Sequence, residues 1–414
     1  MVHDINRLTN EMNQVYHAYD RKNAELADYQ RTGNKFRQYA SQSIVSSTNC
    51  FQQHLISYSL AHPRPAPPAP FPSLPTSTLS TDAPTPGTIV FPHNTAHIVV
   101  CSDNIDAAFA VVHSALKTAK TPSRFVVHVF TTAVNVVSFR VMLHIFNTPE
   151  QPQRVYVHEF QEEWFPQHLQ QILSKHQKFQ KYKNPLNFLR FYLNEAFEAL
   201  HMKSVQRIVL LDDDLLINGD LGEVYDMKLN KGHAMSAAED CTSQKLTLYF
   251  DNKKKYLPHL NRRPWNKLCK ISLGMNTIDL VEWKKQQLTK ELEHWMALNA
   301  KTKIYRAGTL PPVMLVFAAR QTKPYRIYTK MNLMWHHINL GWRDDYVVSN
   351  LLQYKVLHFN GVRKPWRKEI AIQKYRNLWL NYAYDTGTHE WCSMSFQKSK
   401  ALIEKSPWVD AALL

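Results

Sequence analysis

No apolar run in the 414 residues comes near the roughly 18 to 20 positions that a membrane-spanning helix needs. Runs such as "HIVVC" and "RIVLL" suit buried strands, and the first thirty residues are polar, so neither a signal peptide nor a membrane anchor is expected. Glycine-rich phosphate loops are missing as well. Without GxGxxG or GxxxxGK followed by Ser or Thr, the chain has no dinucleotide fingerprint and no P-loop. GxSxG and HExxH are also absent. The five cysteines (Cys50, Cys101, Cys241, Cys269 and Cys392) form no CxxC pair and no zinc spacing. Cys241 and Cys269 can bridge in an oxidising compartment; otherwise the cysteines are small buried hydrophobes. Any phosphate bound here must therefore be held by metal, Lys and Arg.

What the chain does have is positive charge in one place. Its formal charge is +16, and between Lys245 and Glu369 there are 24 Lys/Arg against 8 Asp/Glu, a surplus equal to the whole net charge. Such a surface attracts polyanions over about 8 Å at physiological salt: nucleic acid, an anionic membrane or an acidic polysaccharide. A merely solvated cationic face would look the same.

The sequence divides into five stretches. Residues 1–60 carry Ile5, Leu8, Met12, Val15, Tyr16 and Tyr19 at helical spacing, which predicts an amphipathic arm suited to a protein partner. Residues 61–92 hold ten of the 22 prolines and read as a semi-rigid linker. From 93 to 230 short β-branched runs ("HIVVCS", "RFVVHVFT", "QRVYVHEF", "SVQRIVLLDDD") alternate with helical patterns at 105–118, 134–146 and 186–200. That rhythm predicts an α/β fold with a mainly parallel central sheet and helices on both faces. Residues 231–385 are expected to form a less regular acceptor half, with Pro311-Pro312 breaking regular structure, and 386–414 a C-terminal extension.

The chemistry concentrates where the fourth strand ends, at "IVLLDDDLLINGDL". Ligands of such sheets sit at the carboxyl ends of strands, where Asp103 and the aspartate triplet are both predicted. Alternation along the extended strand turns Asp212 and Asp214 to one face and Asp213 to the other. Two oxygen ligands on one face suit a hard divalent cation. Far downstream, "VLHFNGVRKPWRK" offers His358, a turn at Asn360-Gly361, and Lys364 next to Pro365-Trp366. An imidazole beside two carboxylates favours manganese over magnesium. Arg190 interrupts an apolar helix face, so it needs an anionic partner, either phosphate or an aspartate of the triplet.

These stretches, "LNFLRFYLNE", "VLLDDDLLINGDL", "SLGMNTIDLVEWKK", "AGTLPPV" and "HFNGVRKPW", resemble in order the motifs of glycosyltransferase family 8, within it the plant galacturonosyltransferase branch that builds pectin. The likeness runs from about His97 to Trp366. It implies a GT-A fold with a nucleotide-sugar (donor) half and an acceptor half. It implies that Asp212, Asp214 and His358 hold Mn2+ on the diphosphate of a UDP-sugar. By the same resemblance Gly361 and Lys364 contact the phosphates, Asp103, Asn104 and Asp213 lie by the nucleotide, Arg190 meets the diphosphate or sugar, and Gly274, Met275 and Asn276 lie beside the donor sugar. Cys241 and Cys269 coincide with two cysteines of the plant branch. Retaining transfer of galacturonate from UDP-galacturonate to an anionic polysaccharide such as homogalacturonan, in the Golgi, is the function it implies. Where plant members have "LPPG" this chain has Pro311-Pro312-Val313, and "VCSDN" matches the first strand only loosely.

Two other classes fit part of the pattern. Phosphatases also place aspartates at strand ends, but usually follow them with Gly-Thr or Gly-Ser, and "DDDLLI" has neither. A non-catalytic module for nucleic acid or acidic glycan would use the charge but leave the aspartates, His358 and Arg190 unexplained.

Overall fold

The computed structural model describes residues 89–383, except 134, 137–138, 140–142, 144–154, 168, 171–183, 241–248, 252–268, 307, 320–327 and 368. The N-terminal arm, the linker as far as 88, most of the helical pattern at 134–146, the extension 386–414, and Cys50, Cys241 and Cys392 lie outside the described residues. Cys269 is disulfide-bonded.

Four strands run where the β-branched stretches are: β1 (Ala96–Cys101), β2 (Phe125–Thr131), β3 (Val155–Glu159) and β4 (Arg207–Leu211). All seven residues of β2 are buried, as a strand covered on both faces requires. After β5 (Leu215–Ile217) come β6 (Met235–Ala237), β7 (Glu239–Asp240), β8 (Lys270–Ile271), β9 (Met275–Asp279), β10 (Tyr328–Lys330) and β11 (Val356–His358). The main sheet has the order β10-β6-β9-β4-β1-β2-β3. Only β9 runs antiparallel to its neighbours β4 and β6; the other six strands are parallel. Strands from both halves of the sequence thus share one sheet, within a compact unit of residues 84–136 and 148–384. Ile89 and Phe91 already pack against its core, and Ile89 N donates to His201 O at 3.1 Å.

Helix α1 (Ile105–Thr118) begins at Asn104, whose Oδ1 accepts from Ala107 N at 3.3 Å. It lies between the main sheet and a two-stranded ladder of β5 and β11, packing Ala110 with Leu216 and Leu357 in a second core. Ser114 Oγ accepts from Ile217 N at 3.1 Å, which ties the ladder to the helix.

Two expectations need correction. The stretch 186–200 is not one helix: a 3-10 segment, Pro185–Phe191, is capped by Asn184 and gives way at Tyr192 to α2 (Leu193–Ala199). Nor do Pro311-Pro312 break structure, since they occupy the first turn of α3 (Leu310–Ala319), where proline's missing N–H has no helical partner to lose. Within the core, three histidines form a ladder across β1, β2 and β3. His97 Nδ1 is 3.1 Å from His128 Nε2, and His128 Nδ1 is 3.1 Å from His158 Nε2. Among the described residues no helix is long and apolar enough to cross a membrane.

Candidate functional site

Strand β4 ends at Leu211, so the three aspartates occupy a turn and not the strand alternation expected for them. The turn fans them toward three different partners. Asp212 Oδ1 accepts from Arg190 Nη2 at 2.6 Å, and its N–H donates to Gly274 O at 2.7 Å. Asp213 Oδ2 accepts from Ser102 Oγ at 2.5 Å. Asp214 accepts from the Lys364 ammonium and has His358 Nε2 2.9 Å from its Oδ1.

His358 reaches Asp214 because β11 pairs antiparallel with β5 in a register that sets His358 opposite Leu215. Phe359 N then donates to Asp214 O at 2.8 Å, closing the ladder onto the aspartate turn. One ligand atom each from Asp212, Asp214 and His358 lies within 4.8 Å of the others. Asp214 Oδ1 is buried with His358 Nε2 at 2.9 Å, and in the tautomer that leaves Nε2 without a proton it has no hydrogen-bond donor. A buried carboxylate oxygen without a donor is costly. A cation between Oδ1 and Nε2 would satisfy both, so oxygen and nitrogen donors here fit a divalent metal.

Electrostatics separates the carboxylates. Burial opposes ionisation of Asp214, but His358 and Lys364 overcome it and hold that carboxyl well below its usual range. Burial first, then the charge of Asp214, pushes the Asp213 carboxyl up to about 7. Burial likewise pushes the free Cys101 thiol up to about 12, which leaves it an inert wall of the site.

These groups line a cavity of about 880 Å³ at the carboxyl ends of β1 and β4. Of the residues the sequence singles out, Asp103, Arg190, Asp212, Asp213, Asp214, Gly274, His358, Gly361 and Lys364 all line it. Asn104 and Asn276 do not. The Asn104 amide caps α1, and the buried Asn276 Nδ2 donates to Ser236 O at 2.9 Å and Ser272 O at 3.1 Å. Asp103 Oδ2 accepts from Asn184 Nδ2 at 2.7 Å.

Gly274 is there for space. A Cβ on it would lie 2.5 Å from Cε1 of His358, so only glycine lets the imidazole stand over this backbone. Gly361, with φ of 133°, lies against Gly341, where a Cβ would meet the Gly341 carbonyl carbon at 2.5 Å.

Sequence reading missed Ser102, Asn184 and His336. His336 Nε2 is 2.9 Å from His358 Nδ1. The "HH" at 336–337 carries no spacing that marks a partner of a ligand 22 residues away. The Asn184-Pro185 pair, a turn signal, was the one available cue for the cap beside Asp103.

A sheet with six parallel strands and one antiparallel, and acidic and imidazole groups gathered at its carboxyl edge without a glycine phosphate loop, is the GT-A architecture of nucleotide-sugar transferases. The chain belongs to glycosyltransferase family 8: the family model "Glycosyl transferase family 8" matches residues 89–370. It is 31% identical over 314 residues to "Probable galacturonosyltransferase 10" of Arabidopsis thaliana, covering 69% of this chain and 55% of that protein. It is 33% identical over 202 residues to human "Glycosyltransferase 8 domain-containing protein 2", covering 44% of this chain and 54% of that one. The chain spans about half the length of the curated relatives it matches. Among solved structures it is similar to the apo bifunctional glycosyltransferase WbbM, with a TM-score of 0.50 and 16% identity over 75% of this chain and 52% of the other. At that identity the likeness bears on fold alone.

Proposed function

We propose that this chain is a retaining, divalent-metal-dependent glycosyltransferase that takes a sugar from a UDP-sugar and passes it to an anionic polysaccharide. Galacturonate is the sugar that the names of the galacturonosyltransferase relatives favour, and the family resemblance of the motifs adds homogalacturonan as acceptor and pectin assembly in the Golgi as setting. The observation that carries the reading is the meeting of Asp212, Asp214 and His358 beside Lys364 in one cavity. A bound divalent ion, which we take as Mn2+ on the mixed oxygen and nitrogen ligand set, would supply positive charge to the diphosphate oxygens.

The chain's own residues do the rest. Lys364, held by Asp214 and by Phe359 O at 3.0 Å, places an ammonium where charge grows on the departing diphosphate. Gly361 lets backbone approach the phosphates without a side chain in the way. Arg190 anchors Asp212, and its Nη1 also donates to Leu273 O at 3.2 Å, so the guanidinium ties the aspartate turn to the segment that leads into Gly274. Surplus Lys and Arg between 245 and 369 favour an acidic acceptor.

The test is UDP release from UDP-galacturonate, UDP-galactose and UDP-glucose, with and without Mn2+. Turnover of UDP-galacturonate that needs the ion is expected. Release that ignores the metal, or no release from any of the three donors, would overturn the proposal.

A further inference from the structure

Trp342 is 56% exposed and lines the cavity together with Val362, 55% exposed, and Ile338. Its indole has no aromatic or cationic partner among the described residues, although large rings are usually packed. The mount beneath it, by contrast, is tightly built. Trp342 N donates to Asn339 O at 3.0 Å, in a turn where Asn339 takes the left-handed φ of 76°. That turn is stitched to the segment carrying His358, Gly361 and Lys364. Leu340 N donates to His358 O at 3.2 Å, Gly341 N to Asn360 O at 3.2 Å, and Arg363 N to Gly341 O at 3.1 Å. Asn360 Oδ1 accepts from Asn339 N at 2.5 Å, its Nδ2 donates to Asn339 Oδ1 at 3.1 Å, and the Arg363 guanidinium donates to Trp342 O. A Cβ on Gly341 would meet Phe359 O at 2.7 Å, so the two segments touch only because glycines face each other. A rigid backbone under a bare ring is the arrangement of a recognition surface.

Lining residues come from β7, β8 and residues 308–311, and two further groups flank the aspartate turn. One comes from the end of β1 and the 3-10 segment: Ser102, Asp103, Asn184 and Arg190. The other comes from the turn and loop that carry Trp342, Val362 and Lys364. The aspartate turn and His358 lie between them, joined to the first by Arg190–Asp212 and Ser102–Asp213 and to the second by Lys364–Asp214. Nucleotides of such sheets sit by the first strand's end. Of the remaining lining, the second wall is the part that presents a bare indole.

We propose that Trp342, with Val362 and Ile338 at its edge, is the platform on which a pyranose ring of the acceptor glycan stacks next to the donor phosphates. The kind of occupant rests on the glycosyltransferase reading. The apolar C–H face of a sugar ring lies flat on an indole while its hydroxyls and carboxylates stay in water or reach the cations at the rim.

The full chain and its Trp342→Phe, Trp342→Tyr and Trp342→Leu variants serve as the test. Two probes are titrated calorimetrically with UDP and Mn2+ present: an oligogalacturonide and a neutral β-1,4-linked oligosaccharide. UDP is titrated separately, and acceptor and donor KM are measured with UDP-galacturonate. Expected is a roughly tenfold or greater loss of oligosaccharide affinity, and an equal rise in acceptor KM, for Leu, with Phe and Tyr within about threefold of the parent and UDP affinity within about twofold in all. Three results would overturn the platform. One is Leu binding the oligosaccharide as well as Phe, the second is a loss that falls on UDP instead, and the third is a parent chain that binds neither probe. Because direct binding is read apart from turnover, a chain that binds oligosaccharide through the aromatic ring yet transfers no sugar would refute the enzymatic reading and leave the platform standing.

Discussion

His336 and His358 stack with their ring centroids 5.0 Å apart and 22° between the planes, and His336 Nε2 meets His358 Nδ1 at 2.9 Å. For His358 Nε2 to offer its lone pair to a metal, the proton of that ring must sit on Nδ1 and be donated to His336. His336 thereby sets both tautomer and ring direction, a role usually held by a carboxylate or backbone carbonyl. Replacing it with Ala should weaken Mn2+ binding by about 10- to 100-fold. Gln, which can still accept that hydrogen bond, should recover part of the loss. Calorimetric titration of Mn2+ into each variant decides it, and unchanged affinity in the Ala variant would remove His336 from the site.

Gly274→Ala tests the space over which His358 stands. With the nearest ring atom 2.5 Å from the new methyl group, ring or backbone must shift. Overpacking of this kind costs about 1 to 3 kcal/mol. We expect a folded protein of lower melting temperature whose Mn2+ affinity falls at least tenfold. A variant that binds the ion normally would show that the ring moves freely, contrary to the packing described.

Lys364→Ala removes the ammonium that Asp214 and the departing diphosphate would share. Loss of a group placed against charge that develops in a transition state lowers kcat by about 100- to 1000-fold. Donor KM should change much less. Steady-state kinetics at saturating donor provide the check, and a normal kcat would contradict the assignment.

The histidine ladder makes stability sensitive to acid. Burial pushes His97 down to about 4, and burial together with the neighbouring imidazoles of His158 and His97 holds His128 well below its ordinary 6.5. Both are therefore neutral when folded, while the unfolded chain takes up protons below about 6.5. Their contribution is complete above that pH and is lost as pH falls from about 6.5 toward 4, by about 3 kcal/mol for His97. Asp213, whose carboxyl is pushed up to about 7, gains stability over the same fall in pH, so the ladder's loss is read from urea unfolding at pH 7.5 and 5.0 by comparing the parent chain with a His97 variant. His97→Gln, which cannot titrate, should shrink it, and an unchanged pH slope in that variant would exclude the ladder as its source.

Much of this architecture can be read from the residues, for reasons that differ by element. β1, β2, β3 and β4 are short β-branched stretches between helical patterns, and burial on both faces makes such stretches plain. The aspartates, His358 and Lys364 stand out because each is an ionic group beside an apolar run. Their meeting depends on the β5–β11 register, a pairing across more than 130 residues that no local pattern specifies. The turn at 212–214 was hidden because an aspartate at a strand end looks the same whether or not the strand continues. Asn276 misled for the opposite reason: an amide in a likely donor segment serves buried carbonyls of Ser236 and Ser272. Trp342 and His336 lie in a stretch without periodicity, where only tertiary contacts give a side chain its meaning.

The order in which the chain emerges during synthesis adds a constraint. The aspartate turn leaves the ribosome long before β11, the strand that supplies the imidazole and precedes the lysine. Until then, among the described residues, Arg190 is the cation that pairs with the acidic turn, and the proposed nucleotide clamp is incomplete. The proposed nucleotide clamp would therefore be complete only once β11 and Lys364 have followed, so binding of a nucleotide would report the closed site more faithfully than the helical signal that develops earlier.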